Sequence, residues 1–305
     1  MNVELSSSRF ERPLRLVLEA VPPEVHLGRA GMEAVVEKVA TVHSAVGLDA
    51  VNIPEIREER SKSEKGERRK PFAPRVEPRE LAYELRERVG VDCMINRVVV
   101  HLERERQLDW FRETWERFGV REFVLVGGER SDVTYPGPSV PEANTLLREQ
   151  LAVPGLRLGN ICIPTRVGEA ARLGRKLASG ADFFTTQIVY HGDEFTALLD
   201  ALRDAAPPPE LLLTLCPVRS ARNIRFLHWL GVSVSDDLEG WLTAGPESVG
   251  ERSLAHIRQT WREIVDHHRS ANHPCPLGVS LAPIGRVPNA TTVELAEGLI
   301  ADAGG

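Results

Sequence analysis

The chain alternates short apolar runs with amphipathic stretches at a repeat of about thirty residues, the length of one strand-plus-helix unit. Leu14 to Ala20 reads as a first strand, and Gly31 to Ala45 as a helix with Val35, Val36, Val39 and Val42 at apolar spacing. Further strands are expected over Asp49 to Ile53, Cys93 to His101, Glu122 to Val126, Leu156 to Ile163, Phe183 to Val189, Leu211 to Cys216 and Leu277 to Leu281. Helices are expected between them, over Pro78 to Val89, Leu108 to Phe118, Pro141 to Leu151, Val167 to Ala178, Asp193 to Ala205 and Ala221 to Trp229. After Trp229 the rhythm loosens, with a long helix over Gly250 to Arg269 and a closing one over Thr291 to Ala303. Pro78 opens one helix, and Gly90 and Gly119 close two others, each residue at the helix end that its backbone chemistry favours.

This alternation points to an α/β fold, a (β/α)8 TIM barrel formed as a single domain over residues 1–305. An open doubly wound sheet is the competing arrangement, but no Gly-x-Gly-x-x-Gly opens any helix. In a barrel the chemistry gathers at the carboxyl ends of the strands. The polar residues falling there are Glu19, Asn52 with Glu55, Arg97 to His101, Gly128-Glu129, Asn160, Gln187 to Tyr190, and Ser280.

Composition removes several classes of function. The net charge is −6, so there is no basic surplus for nucleic acid or an anionic membrane. No apolar run approaches the ~20 residues of a membrane helix, and Met1-Asn2-Val3-Glu4-Leu5 lacks the features of a signal peptide. The four cysteines are far apart and form no metal-type pair, and His101, His191 and His267-His268 have no partner at metal-ligand spacing. A cytoplasmic protein binding a small molecule and no metal fits these limits.

Gln187 is an amide among apolar neighbours, costly unless its hydrogen bonds are met. A flat amide with an acceptor and two donors suits a pterin-like heterocycle. Glu19 ends the apolar run Leu16-Val17-Leu18, where enclosure favours the protonated carboxyl and suits a general acid. A salt-bridged strand-end glutamate is the bland reading of the same residue. Glu129 follows Gly127-Gly128 as either a ligand contact or an exposed turn carboxylate. Asn160 either bonds locally or faces the rim. A charged flexible loop is expected over 57–75, densest from Arg57 to Lys70. It is read either as a solvated segment or as a lid whose cations meet an acidic tail or a dinucleotide phosphate.

Several short motifs, in order from about residue 14 to 290, resemble the methylenetetrahydrofolate reductase family. They are Glu19-Ala20-Val21-Pro22-Pro23, Gly128-Glu129, Lys176 with Gly180-Ala181, Thr186-Gln187 followed by Tyr190, and Pro217-Val218. The family more often has Asp where this chain has Glu129. The resemblance implies reduction of 5,10-methylenetetrahydrofolate to 5-methyltetrahydrofolate. It makes Glu19 the general acid, Gln187 the reader of the pterin edge, Glu129 a supporting carboxylate, and Glu55 a group that orients substrate or acid. Asn160 and Tyr190 complete the expected substrate contacts.

The departures from the family concern flavin. Where FAD-containing members carry a Pro-His-Leu-Thr-like end on strand three, this chain has Asn96-Arg97-Val98-Val99. Val167 falls where a His is expected and Arg172 where an Asn faces the cofactor, while Lys176 is kept. The pattern resembles the flavin-independent subset of the family, with NADH or NADPH passing hydride straight to folate. FAD is the competing cofactor, and Arg97, Arg172 and Lys176 are the candidate cofactor-binding residues. A non-catalytic or partner-dependent folate-binding barrel is the alternative from another class.

Overall fold

A computed structural model describes residues 14–128, 132–244, 248–285 and 287–304. Eight parallel strands close into a barrel in sequence order, the last pairing with the first. They are β1 (Arg15–Glu19), β2 (Ala50–Pro54), β3 (Cys93–Val98), β4 (Glu122–Val126), β5 (Arg157–Cys162), β6 (Phe183–Thr186), β7 (Glu210–Leu215) and β8 (Leu277–Leu281). The helices of the outer ring are α1 (Gly28–Val46), α2 (Pro78–Val89), α3 (Arg104–Phe118), α4 (Val140–Gln150), α5 (Glu169–Ala178), α6 (Gly192–Ala201), α7 (Ala221–Trp229), α8 (Asp236–Thr243), α9 (Val249–Ser270) and α10 (Asn289–Gly304). The expected (β/α)8 barrel is what forms.

Local chemistry sets several boundaries. α2 begins with Pro78 in its first turn and ends at Gly90 in the left-handed region, φ 75°. α4 and α9 each open with a capping box, Ser139 with Glu142 and Ser248 with Glu251. Two expected strands end three residues early. β3 gives way at Val99–His101 to a 3-10 turn, and β6 stops at Thr186. Beyond Thr186 the Gln187 N–H still donates to Cys162 O on β5, at 2.7 Å, but the Val189 N–H donates to Thr214 O on β7. The regular alternation of partners is broken, so Gln187 lies just past the strand.

Alternate residues of each strand face the barrel interior, and they fall into three layers. The amino-terminal layer is ionic: Arg15 contacts Glu122 at 2.6 Å and Glu210 at 3.2 Å, and Arg157 pairs with the same two carboxylates. The middle layer is apolar, built from Val17, Ala50, Met94, Val124, Phe183 and Leu212. Phe183 fits because Gly159 stands beside it; a Cβ there would lie 2.3 Å from the ring. The carboxyl-terminal layer, one step further along the same faces, contains Glu19, Asn52, Asn96, Thr185, Thr214 and Ser280. The interior therefore changes from salt bridges through hydrocarbon to neutral polar groups around one carboxyl.

Candidate active site

Glu19 opens onto a cavity of about 450 Å³ at the carboxyl end of the barrel. Its wall includes Lys38 from α1, Glu55 and Arg57 after β2, Arg68, and Trp229 at the end of α7. Glu19 is half-buried and lines this cavity. Burial pushes its pKa up to about 7, with the Lys38 ammonium pulling weakly the other way. Among the described residues Glu19 has no ion pair, so the salt-bridged reading does not describe it. Such a carboxyl carries a proton for part of the time at neutral pH and can release it without first breaking a bridge.

Three buried polar atoms of the same layer have no hydrogen-bond partner among the described residues: Asn52 Oδ1, Asn96 Oδ1 and Ser280 Oγ. Asn52 uses its Nδ2 to reach Glu19 Oε2 at 3.5 Å and leaves its acceptor open. Unpaired buried polar atoms are costly, so three on the inward faces of β2, β3 and β8 form a polar layer that ordered water or a polar ligand would satisfy. The sequence places Asn52 and Ser280 at the carboxyl ends of their strands without giving either a role, and Asn96 enters only as part of Asn96-Arg97-Val98-Val99. The available signal was parity, since each lies two residues beyond an inward-facing position of its own strand.

Glu55 also borders the cavity, but its carboxylate is fully engaged. Arg97 contacts Oε1 at 3.1 Å, Arg57 does so at 2.7 Å, and the Val98 N–H donates to Oε2 at 2.9 Å. Arg97 is buried between β3 and α3, donates to Gln107 Oε1 at 3.2 Å and lies 4.2 Å from the centroid of the Trp110 ring. Burial lowers the pKa of its guanidinium, and Glu55 opposes that shift. Glu55 is therefore an anchor for two arginines at the rim.

The family model for mycobacterial methylenetetrahydrofolate reductase matches residues 14–269. The chain belongs to that family. Among solved structures it is similar to an uncharacterized protein from Clostridium thermocellum described as binding two copies of 5-methyl-5,6,7,8-tetrahydrofolic acid. That likeness has a TM-score of 0.74 at 17% identity over 94% of this chain and 95% of the other, and it shows the shared fold. A protein of Aquifex aeolicus VF5 aligns with a TM-score of 0.49 at 11% identity over 96% and 92% of the two chains. No curated protein matches the chain by sequence.

The positions singled out from methylenetetrahydrofolate reductase motifs divide in the structure. Gln187 stands at the same barrel end as Glu19; its Nε2 donates to Leu230 O at 3.1 Å, and Leu230 borders the cavity. Asn160 is turned outward, exchanging hydrogen bonds of 2.8 and 3.1 Å with Asn144 of α4. The local alternative is the one the geometry takes. Tyr190 is buried in an apolar cluster above the barrel, donating from its hydroxyl to Cys216 O at 2.6 Å, and burial raises its pKa well above the usual value. Gly128 makes its close approach to the Tyr135 ring. Glu129 lies outside the described residues.

The three cofactor candidates do not converge. Arg172 is exposed on α5, Lys176 donates to Ile161 O at 2.5 Å against the outer wall of β5, and Arg97 is tied to Glu55. Arg97, Arg172 and Lys176 therefore do not meet in one place. The 57–75 segment lies across the barrel mouth. Its Lys62 N–H donates to Trp229 O at 3.0 Å, its Glu67 N–H to Arg225 O at 3.1 Å, and Lys65 pairs with Asp236 of α8.

Proposed function

We propose that this protein reduces 5,10-methylenetetrahydrofolate to 5-methyltetrahydrofolate, with NADH or NADPH giving hydride directly to the folate. The observation that carries this reading is Glu19: a carboxyl pushed up to about 7 by burial, lining a cavity at the carboxyl end of the barrel with the Asn52 amide beside it. The bridging methylene accepts hydride poorly while it is bound to both N5 and N10. Proton transfer from Glu19 to N10 lets the C–N10 bond break and leaves an iminium at N5. Hydride from the nicotinamide then adds to the methylene carbon and forms the methyl group. Solvent reprotonates Glu19, so one proton and one hydride are consumed per turnover.

Gln187, bonded to Leu230 at the edge of the cavity, suits the donor-bearing edge of the pterin. An ionised Glu19 would also stabilise the iminium cation by its charge. The direct transfer is supported by the sequence, which has Asn96-Arg97-Val98-Val99, Val167 and Arg172 where flavin-containing members of the family carry other residues. Four buried free cysteines suit a reducing cytoplasm. No helix among the described residues is long and apolar enough to cross a membrane.

The test is anaerobic incubation of the purified chain with methylenetetrahydrofolate and each reduced nicotinamide, with a visible spectrum of the same sample. Turnover by a colourless protein is expected. Turnover only in a yellow, flavin-loaded sample would remove the direct transfer but keep the reaction. Folate binding without turnover would favour the binding-protein alternative.

A further inference from the structure

The cavity wall opposite the barrel floor has a composition that proton transfer at Glu19 does not use. Phe226 and Trp229, one turn apart on α7, stack with ring centroids 5.6 Å apart and an interplanar angle of 7°. Arg68 of the segment crossing the barrel mouth places its guanidinium 5.1 Å from the Trp229 ring centroid and 5.8 Å from that of Phe72. All three of Arg68, Phe226 and Trp229 line the cavity that contains Glu19.

The three arginines on this wall are not equivalent. Arg57 is held by Glu55, and Arg75 by Pro22 O at 3.0 Å and Glu24 at 3.3 Å. Among the described residues Arg68 has aromatic contacts but neither a hydrogen bond nor an ion pair. Its donor fork is thus preorganised by stacking and open to an anion. The backbone that presents it is fixed by the bonds from Lys62 and Glu67 to α7. Gly66 reinforces this, because a Cβ there would lie 2.5 Å from Trp229 Cα.

The chemistry of the substrate says what belongs on such a wall. An acid that protonates N10 stands beside the nitrogen that carries the p-aminobenzoyl ring. That ring continues through an amide into glutamate, which bears two carboxylates. We propose that Arg68, Trp229 and Phe226 form the subsite for the p-aminobenzoylglutamate arm, the aromatic pair packing on the benzoyl ring and Arg68 holding a glutamate carboxylate. The assignment rests on the folate reading of the Glu19 site. It makes the segment after β2 a determinant of substrate affinity.

The experiment measures binding by calorimetry, so it needs no turnover. The ligands are 5-methyltetrahydrofolate and 5-methyltetrahydropteroate, which lacks the glutamate; the proteins are the wild type, Arg68→Ala, Arg68→Lys and Trp229→Leu, each checked by circular dichroism. Losing a charge-assisted pair should weaken 5-methyltetrahydrofolate binding to Arg68→Ala by about tenfold and leave the pteroate within about twofold. Arg68→Lys should fall between wild type and Arg68→Ala, and Trp229→Leu should weaken both ligands. A loss smaller than about fivefold in Arg68→Ala, or an equal loss for both ligands, overturns the subsite. So does a loss of NADH affinity in place of folate affinity, which would assign the wall to the dinucleotide. Wild type that binds both pterins without reducing methylenetetrahydrofolate would end the reductase proposal alone. Unchanged folate affinity in an active Arg68→Ala would end the subsite alone.

Discussion

Asn52 Nδ2 stands 3.5 Å from Glu19 Oε2, while Asn52 Oδ1 has no donor among the described residues. The two residues are register partners on β1 and β2, so the barrel itself sets their spacing. An amide in this position is compatible with both protonation states of the acid. It donates weakly to the carboxylate, and a flipped amide would present an acceptor to the protonated form. The pair is thus the point where the fold meets the proposed proton transfer.

Glu19→Gln removes the proton and keeps the shape. A positioned acid contributes roughly a hundredfold or more, so turnover should fall by at least about that factor with the fold intact. In the proposed mechanism the protonated form is the active one, and burial raises its pKa to about 7. Single-turnover rates for the wild type should therefore decline as pH rises through that value, and the residual rate of Glu19→Gln should show no such limb. A limb that survives in the variant would assign the titration to another group.

The same residue links stability to pH. Its folded-state pKa is raised from 4.5 to about 7, so the folded chain holds the proton more tightly than the unfolded one. Stability should decline as pH rises from about 4.5 to about 7 and level off above, because only the folded state still binds the proton in that window. At about 1.4 kcal/mol per pH unit the cost reaches about 3 kcal/mol above neutrality. Glu19→Gln lacks this cost. Urea unfolding at pH 8 should find the variant more stable by up to that amount, with the gain shrinking towards acid pH.

The barrel was legible because its signals are local: strand-length apolar runs, helical spacing, and Pro and Gly at helix ends. α8 was not, since eight residues give too few turns for periodicity; only Ser235 as its cap and the acids of its first turn mark it. The apolar run Ile188-Val189 extended β6 on paper, although the chain leaves the regular ladder at Gln187. The raised pKa of Glu19 was legible because enclosing a carboxyl at the end of an apolar strand has one dominant physical consequence. Glu55 was seen at the rim, but its engagement by Arg97 and Arg57 depends on which side chains meet across β2 and β3. Asn52, Asn96 and Ser280 needed strand register before their shared interior layer could be seen.

Glu55→Gln tests whether this residue anchors or reacts. Arg97 would be left buried with its charge unmatched, while the Val98 N–H could still find the Gln oxygen. Breaking a buried pair from one side costs about 3 kcal/mol, which urea unfolding would register. Replacing Arg97 with Met as well should recover part of the loss, since the orphaned charge is then gone. If Glu55→Gln instead keeps full stability and loses turnover, the anchor role is wrong and the carboxylate takes part in the reaction.

Asn160 separates structural from ligand-binding amides. Its side chain exchanges two hydrogen bonds with Asn144, whose Nδ2 also donates to Ser179 Oγ at 3.0 Å, so the group ties β5 to α4 and the end of α5. Asn160→Ala would strand a buried donor and acceptor on Asn144, at about 1–3 kcal/mol. The folate KM should stay within about twofold, because the side chain points away from the cavity. Gln187→Ala should do the reverse: its single bond to the Leu230 carbonyl is worth only about 1 kcal/mol, while the folate KM should rise. Measuring both KM values and both unfolding midpoints side by side checks the division. A raised KM in Asn160→Ala with normal stability would mean that the pterin reaches the β5 side of the barrel, and the assignment of its edge to Gln187 would then be wrong.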